Sequence, residues 1–194
     1  MWQHIDDERA WLADLLSSLP QESWRHPSLC AGWTVRDVAA HLTLAHSRVR
    51  DLLVPAVRAG FRYDVLVRDT ALRSPLTNAE IVATLRGFVG SRRRVAFITD
   101  LEPLIDILVH SQDICQPLGI DHPMPPEAAV AAADRVLSTP RPLRRWTRPR
   151  GVRLVATDVE WAYGTGAETR RPMQSHLLTL TGRQSAAADA TAAG

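Results

Sequence analysis

Two candidate metal ligands lie in one largely apolar stretch, residues 101–119. Asp106 and His110 are four positions apart within it, and residues at that spacing share one face of a helix, one turn apart. A carboxylate and an imidazole presented together can bind a divalent metal if another segment supplies a third ligand. The alternative is a buried Asp–His hydrogen bond without a metal, and this stretch alone leaves both interpretations open.

A third candidate ligand, His41, lies in an earlier helical pattern, three residues after Val38 on its inner face. A lone inward histidine is commonly a hydrogen-bonded core residue, which is the alternative here. Two histidines and a carboxylate leave coordination positions open, as in catalytic zinc sites. These residue types would suit a metal site of His41, Asp106 and His110, with zinc as the first choice, but their spacing alone leaves the hydrogen-bonded alternatives open. Asp113 is either an outer carboxylate that orients a histidine or a partner in a helix-end hydrogen bond. Catalytic and substrate-binding residues stay unassigned.

The elements that must position these residues are mostly helices. Apolar periodicity and helix-start signals, including the capping boxes Thr34-x-x-Asp37 and Thr77-x-x-Glu80, predict helices over 2–17, from Thr34, from Thr77, over 101–119 and over 125–138. Asp64 to Ala71 fits a shorter helix. We predict a mainly α fold: a four-helix bundle over 1–138, a Pro/Arg-rich linker over 139–151, a strand-turn-helix α/β appendage over 152–183 and a disordered tail over 184–194.

Composition narrows the classes of function. A formal net charge of +2 over 194 residues gives no reason to expect nucleic-acid binding. No apolar run reaches the roughly 18 residues of a membrane span, and the polar N-terminus is unlike a signal peptide. Two cysteines, Cys30 and Cys115, form no disulfide framework, so we expect a cytoplasmic protein with both as small buried hydrophobic residues. The run 92–94 of three arginines is either a solvated helix end or an anion clamp.

Three segments carry a resemblance to a known family. They read Cys-Ala-Gly-Trp-Thr-Val-Arg-Asp-Val-Ala-Ala-His over 30–41, Asp-Ile-Leu-Val-His-Ser-Gln-Asp-Ile-Cys-Gln-Pro-Leu-Gly over 106–119, and Gly-Val-Arg-Leu-Val-Ala-Thr-Asp-Val-Glu-Trp with Leu-Leu-Thr-Leu-Thr-Gly-Arg within 151–183. Together they resemble the mycothiol-dependent maleylpyruvate isomerase family, which belongs to the DinB-like metal-binding helical bundles.

The resemblance implies that His41, Asp106 and His110 are metal ligands, although well-studied members have glutamate at the position of Asp106. It also implies a DinB-like bundle and an isomerase or thiol transferase that uses mycothiol as cosubstrate on a small electrophile, which we expect to be anionic. Mycothiol sulfur would add to an activated alkene, and rotation and elimination would follow. Two alternatives remain: a thiol-independent metal-dependent hydrolase or lyase, and a non-catalytic ligand-binding bundle with a relic metal site. Assembly as a homodimer is left open.

Overall fold

The computed structural model describes residues 1–46, 57, 62–93, 99–139 and 149–183. The chain divides into two compact units, Met1–Asp121 and the part that begins at His122. The described residues of the first unit form five α-helices: α1 (Trp2–Ser18), α2 (Val35–Leu42), α3 (Tyr63–Leu72), α4 (Asn78–Arg86) and α5 (Leu101–Cys115). Those of the second unit form α6 (Pro126–Ser138), the strands β1 (Val152–Ala156), β2 (Ala162–Gly164) and β3 (Ala167–Arg171), and α7 (Met173–Leu180).

The first unit is a helical bundle, as predicted. Helix α1 packs against α4 and α5, and α2 packs against α3, α4 and α5. The apolar stripes of these helices meet in one core, whose largest fully buried side chains are Ile5, Leu12, Leu16, Ile81, Leu85, Leu104, Leu108 and Ile114. Both predicted capping boxes are present, at Thr34 before α2 and at Thr77 before α4. Because α2 and α5 are neighbours in this core, side chains on their facing sides can meet.

Helix α5 follows its predicted outline closely. Pro103 lies in its first turn, where the missing N–H leaves no helical hydrogen bond unmade. The helix passes through a 3-10 turn, Gln116–Leu118, and ends at Gly119, whose φ of 67° is left-handed. Eleven of its fifteen residues are buried, including the polar Ser111, Gln112 and Asp113. A helix buried this fully is held rigidly and presents its few polar side chains in fixed positions.

The second unit combines two helices with a small sheet. Helix α6 packs on α7, and α7 packs on β1. The strand order is β2-β1-β3, with β1 antiparallel to β2 and parallel to β3. His176 of α7 is 2% exposed, and its Nε2 lies 2.9 Å from the backbone oxygen of Val155 in β1. This contact ties the helix to the central strand.

Several local predictions differ from the structure. The sequence predicts one strand in the appendage, whereas the structure has three, because β2 has only three residues and β3 is largely polar, so that neither shows an apolar pattern. The apolar spacing of the helix that starts at Thr77 extends to Val89 and predicts it in the core, but α4 ends at Arg86 and Val89 is 42% exposed. The run Asp6-Asp7-Glu8-Arg9 predicts a polar first turn for α1, but Glu8 and Arg9 are 6% and 3% exposed.

The domain boundary also differs in place. The predicted bundle extends through residue 138, whereas the compact units divide at Asp121, so that α6 belongs to the second unit. Most of the predicted linker, residues 140–148, and the predicted tail, 184–194, lie outside the described residues. Among the described helices, the structure contains none with the length and apolar character needed to cross a bilayer.

Candidate metal centre

The structure brings the three predicted ligands together between α2 and α5. One ligand atom from each of His41, Asp106 and His110 lies within 4.8 Å of the other two. The two imidazole rings are in contact, with centroids 4.8 Å apart and planes inclined at 78°. Zinc–ligand bonds of about 2.0–2.1 Å place tetrahedral ligand atoms about 3.3–3.5 Å apart. Small side-chain rotations therefore suffice for the three atoms to converge on one ion.

Burial around this trio is uneven. His41 and His110 are half-buried, whereas Asp106 is exposed. The Trp33 and His41 rings pack edge to face, with centroids 5.6 Å apart and planes inclined at 72°. The imidazoles are thus restrained by packing on one side, while the carboxylate side is open to solvent. This arrangement resembles catalytic metal sites, which keep a coordination position free for substrate.

Asp113 is positioned to orient His110. It is completely buried, and its Oδ2 lies 2.8 Å from His110 Nδ1. When Asp113 is ionised, its oxygens only accept hydrogen bonds, which assigns the proton of His110 to Nδ1 and leaves Nε2 with the lone pair that a metal needs. The alternative proposed for Asp113, a hydrogen bond at the helix end, is partly present as well, because its backbone oxygen accepts the Leu29 N–H at 3.1 Å.

Cys30 is the neighbour that sequence reasoning missed. Its Sγ lies 3.1 Å from Asp113 Oδ2 and 4.0 Å from His110 Nδ1. Cys30, His110 and Asp113 thereby form a second cluster with metal-ligand chemistry that shares a histidine with the first. Cys30 is half-buried, so the expectation of a buried hydrophobic residue was wrong. Its spacing of 80 residues from His110 gave no signal, although both lie within the motifs that carry the family resemblance.

Cys115 fits the prediction made for both cysteines. It is completely buried, and burial, with a smaller effect of Glu8, raises the pKa of its thiol to about 12. The thiol therefore stays protonated at neutral pH, which makes it unreactive.

An apolar cleft begins at the candidate site. It is lined by Arg9, Leu42, Ala45, Leu85, Pro103, Asp106 and Ile107. The Arg9 guanidinium donates from Nη1 to the backbone oxygens of Phe88 and Ser91, at 2.9 and 3.2 Å. Burial is the main effect on the pKa of Arg9 and lowers it, partly offset by Asp6. The buried guanidinium of Arg9 and the exposed carboxylate of Asp106 thus line the same, otherwise apolar cleft.

The run of three arginines shows no clamp among its described members. Arg92 forms an ion pair with Asp6 at 2.7 Å and lies over the Trp2 ring, 4.9 Å from its centroid. Arg93 is exposed, and Arg94 lies outside the described residues. Arg92 and Arg93 lie on the surface in the loop that follows α4, which ends at Arg86.

Comparisons with known proteins agree with this architecture. Residues 5–99 match the family model described as the mycothiol maleylpyruvate isomerase N-terminal domain. The crystal structure of the mycothiol-dependent maleylpyruvate isomerase is similar at a TM-score of 0.56 and 14% identity, over 93% of this chain and 90% of that one. A histidine-to-alanine mutant of that enzyme gives 0.56 and 15%, over 92% and 89%. No curated protein sequence matches this chain.

Proposed function

We propose that this chain, which belongs to the mycothiol maleylpyruvate isomerase family, is a metal-dependent enzyme that uses a low-molecular-weight thiol, mycothiol, as cosubstrate. The reaction class is isomerisation of an activated double bond or transfer of the thiol to a small anionic electrophile. The observation that carries the proposal is the convergence of His41, Asp106 and His110, whose ligand atoms lie within 4.8 Å of one another.

The donor set fits a divalent metal of the zinc type. Two imidazole nitrogens and one carboxylate oxygen are ligands that zinc and neighbouring first-row metals accept. A bound metal of this kind would supply Lewis acidity that keeps a coordinated thiol deprotonated. Aspartate is one methylene shorter than glutamate, so the backbone of α5 must bring Asp106 closer to the ion than a glutamate would need.

The chain's own residues have separate parts in this site. His41 and His110 would hold the ion from the half-buried side. Asp113 would keep the Nδ1 proton on His110 and so direct Nε2 toward the ion. The exposed side at Asp106 leaves room for thiol and electrophile to approach from solvent.

The cleft beside Asp106 supports a small anionic substrate. Arg9, which lines this cleft, adds a positive charge in surroundings of low polarity. Charges attract more strongly where water is excluded, so a carboxylate group of the substrate would be oriented toward Arg9.

We also propose a cytoplasmic location, where the two free cysteines would stay reduced.

Turnover with and without the thiol tests this function. The purified protein is stripped of metal, reloaded with zinc and offered a panel of small electrophiles, including cis-configured unsaturated carboxylates, with and without mycothiol. We expect turnover that requires both zinc and mycothiol. Zinc-dependent turnover without any thiol would instead identify a hydrolase or lyase. Zinc binding without turnover of any electrophile would favour a ligand-binding bundle.

A further inference from the structure

We propose that Cys30 is a positioning residue of the metal centre, and that it acts through Asp113 on His110. The inference rests on the proposed metal site and adds a residue that the predicted ligand set does not contain. In this arrangement the Cys30 thiol is a hydrogen-bond donor, not a ligand or a nucleophile.

The loop before α2 contacts α5 at one residue through two hydrogen bonds. The backbone N–H of Leu29 donates to the Asp113 backbone oxygen at 3.1 Å. The Cys30 thiol donates to Asp113 Oδ2, also at 3.1 Å. The same Oδ2 accepts the Nδ1 proton of His110 at 2.8 Å. One carboxylate oxygen thus receives two donors, and the loop restrains both the backbone and the side chain of the residue that orients His110.

The loop itself is held in a defined shape. Trp33 N–H donates to the Cys30 oxygen at 2.9 Å, and Gly32 between them has a φ of 76°, which is the backbone combination of a type II turn. The Ser28 hydroxyl accepts from Cys30 N–H and donates to the Trp33 oxygen, at 3.2 and 2.9 Å. A thiol on such a loop approaches Asp113 from a fixed direction.

The position of Cys30 relative to His110 favours positioning over ligation. Its Sγ lies 4.0 Å from Nδ1, the nitrogen that is hydrogen-bonded to Asp113, so it is on the side of the ring away from Nε2. A fully buried carboxylate such as Asp113 needs its donors. The thiol supplies one of them and limits the rotations that Asp113 can make.

Zinc affinity is the property that this arrangement should change. Removal of an outer hydrogen-bond partner typically weakens metal binding about 10–100-fold, and a thiol is a weak donor. We expect Cys30→Ala to raise the zinc Kd about 3–10-fold, measured by competition with a chelator. Cys30→Ser keeps a donor and should stay within about twofold of wild type. Cys115→Ala, the matched loss of a buried thiol, should leave the Kd unchanged.

A double-mutant cycle separates action through Asp113 from a general structural effect. In the Asp113→Asn background, Cys30→Ala should change the Kd less than about twofold, because its acceptor is already altered. Additive effects would overturn the inference, as would a wild-type Kd in Cys30→Ala. A sulfur-to-cobalt charge-transfer band in the cobalt-loaded wild type, lost in Cys30→Ala, would overturn it by showing ligation. A wild type that binds no zinc would overturn the metal site itself and this inference with it.

Discussion

His46 should make the stability of the first unit sensitive to pH. Its ring packs on Phe88 at a centroid distance of 3.7 Å, and its Nε2 is buried without a hydrogen-bond partner among the described residues. Burial, followed by the charges of Arg9 and Arg93, lowers its pKa from 6.5 to about 4. Below pH 6.5 the unfolded chain takes up a proton that the folded chain refuses, so stability is complete above that pH and is lost as the pH falls toward 4.

The size of the loss follows from the pKa shift. A pKa difference of one unit is worth about 1.4 kcal/mol. Without solvent screening, proton linkage lowers the free energy of unfolding by about 2 kcal/mol between pH 7 and pH 5. His46 is only partly buried, and solvent screening reduces this to about 1 kcal/mol. We therefore expect wild type to lose about 1 kcal/mol more than His46→Leu between pH 7 and pH 5, because leucine cannot titrate.

Urea unfolding of the metal-free protein at pH 7, 6 and 5 measures this difference. A matched variant at the exposed His26, His26→Leu, should keep the pH slope of wild type. Equal losses in wild type and His46→Leu would refute the reasoning, since they would show that His46 takes up its proton as readily in the folded protein as in the unfolded chain.

Three further predictions concern stability and substrate binding. Thr34→Ala and Thr77→Ala each remove a capping box and should each cost about 1 kcal/mol in urea unfolding. Gly164→Ala should destabilise the sheet by more than about 1 kcal/mol in thermal unfolding, because Gly164 has a φ of +86° and a Cβ there would lie 2.5 Å from the Val152 oxygen. Arg9→Met should raise the KM of an anionic electrophile more than that of its neutral ester, in steady-state assays.

The helices could be predicted because each carries its signals locally. The capping boxes at Thr34 and Thr77 mark the starts of two helices, and Gly119 marks the end of the helix predicted over 101–119. The spacing of Asp106 and His110 places them on one face of a helix, and this depends only on the local sequence. Their meeting with His41 depends on the packing of α2 on α5, which the family resemblance implied and periodicity could not establish.

The contacts that sequence reasoning missed are those between distant segments. Cys30 meets Asp113 because a turn reverses the chain at Gly32 and the loop docks on α5. Strands β2 and β3 lack apolar alternation, because their short segments are held by pairing to β1 and not by burial of one face. In both cases the structure depends on partners far away in the chain, which leave no periodic pattern.

Metal content tests the central claim most directly. Wild type and the single variants His41→Ala, Asp106→Ala and His110→Ala are loaded with zinc, dialysed and assayed by elemental analysis, with His26→Ala as a matched histidine loss. The account predicts one zinc ion per chain in wild type and His26→Ala, and strongly reduced zinc in the other three. Full zinc content in all three ligand variants, or none in wild type, would contradict it.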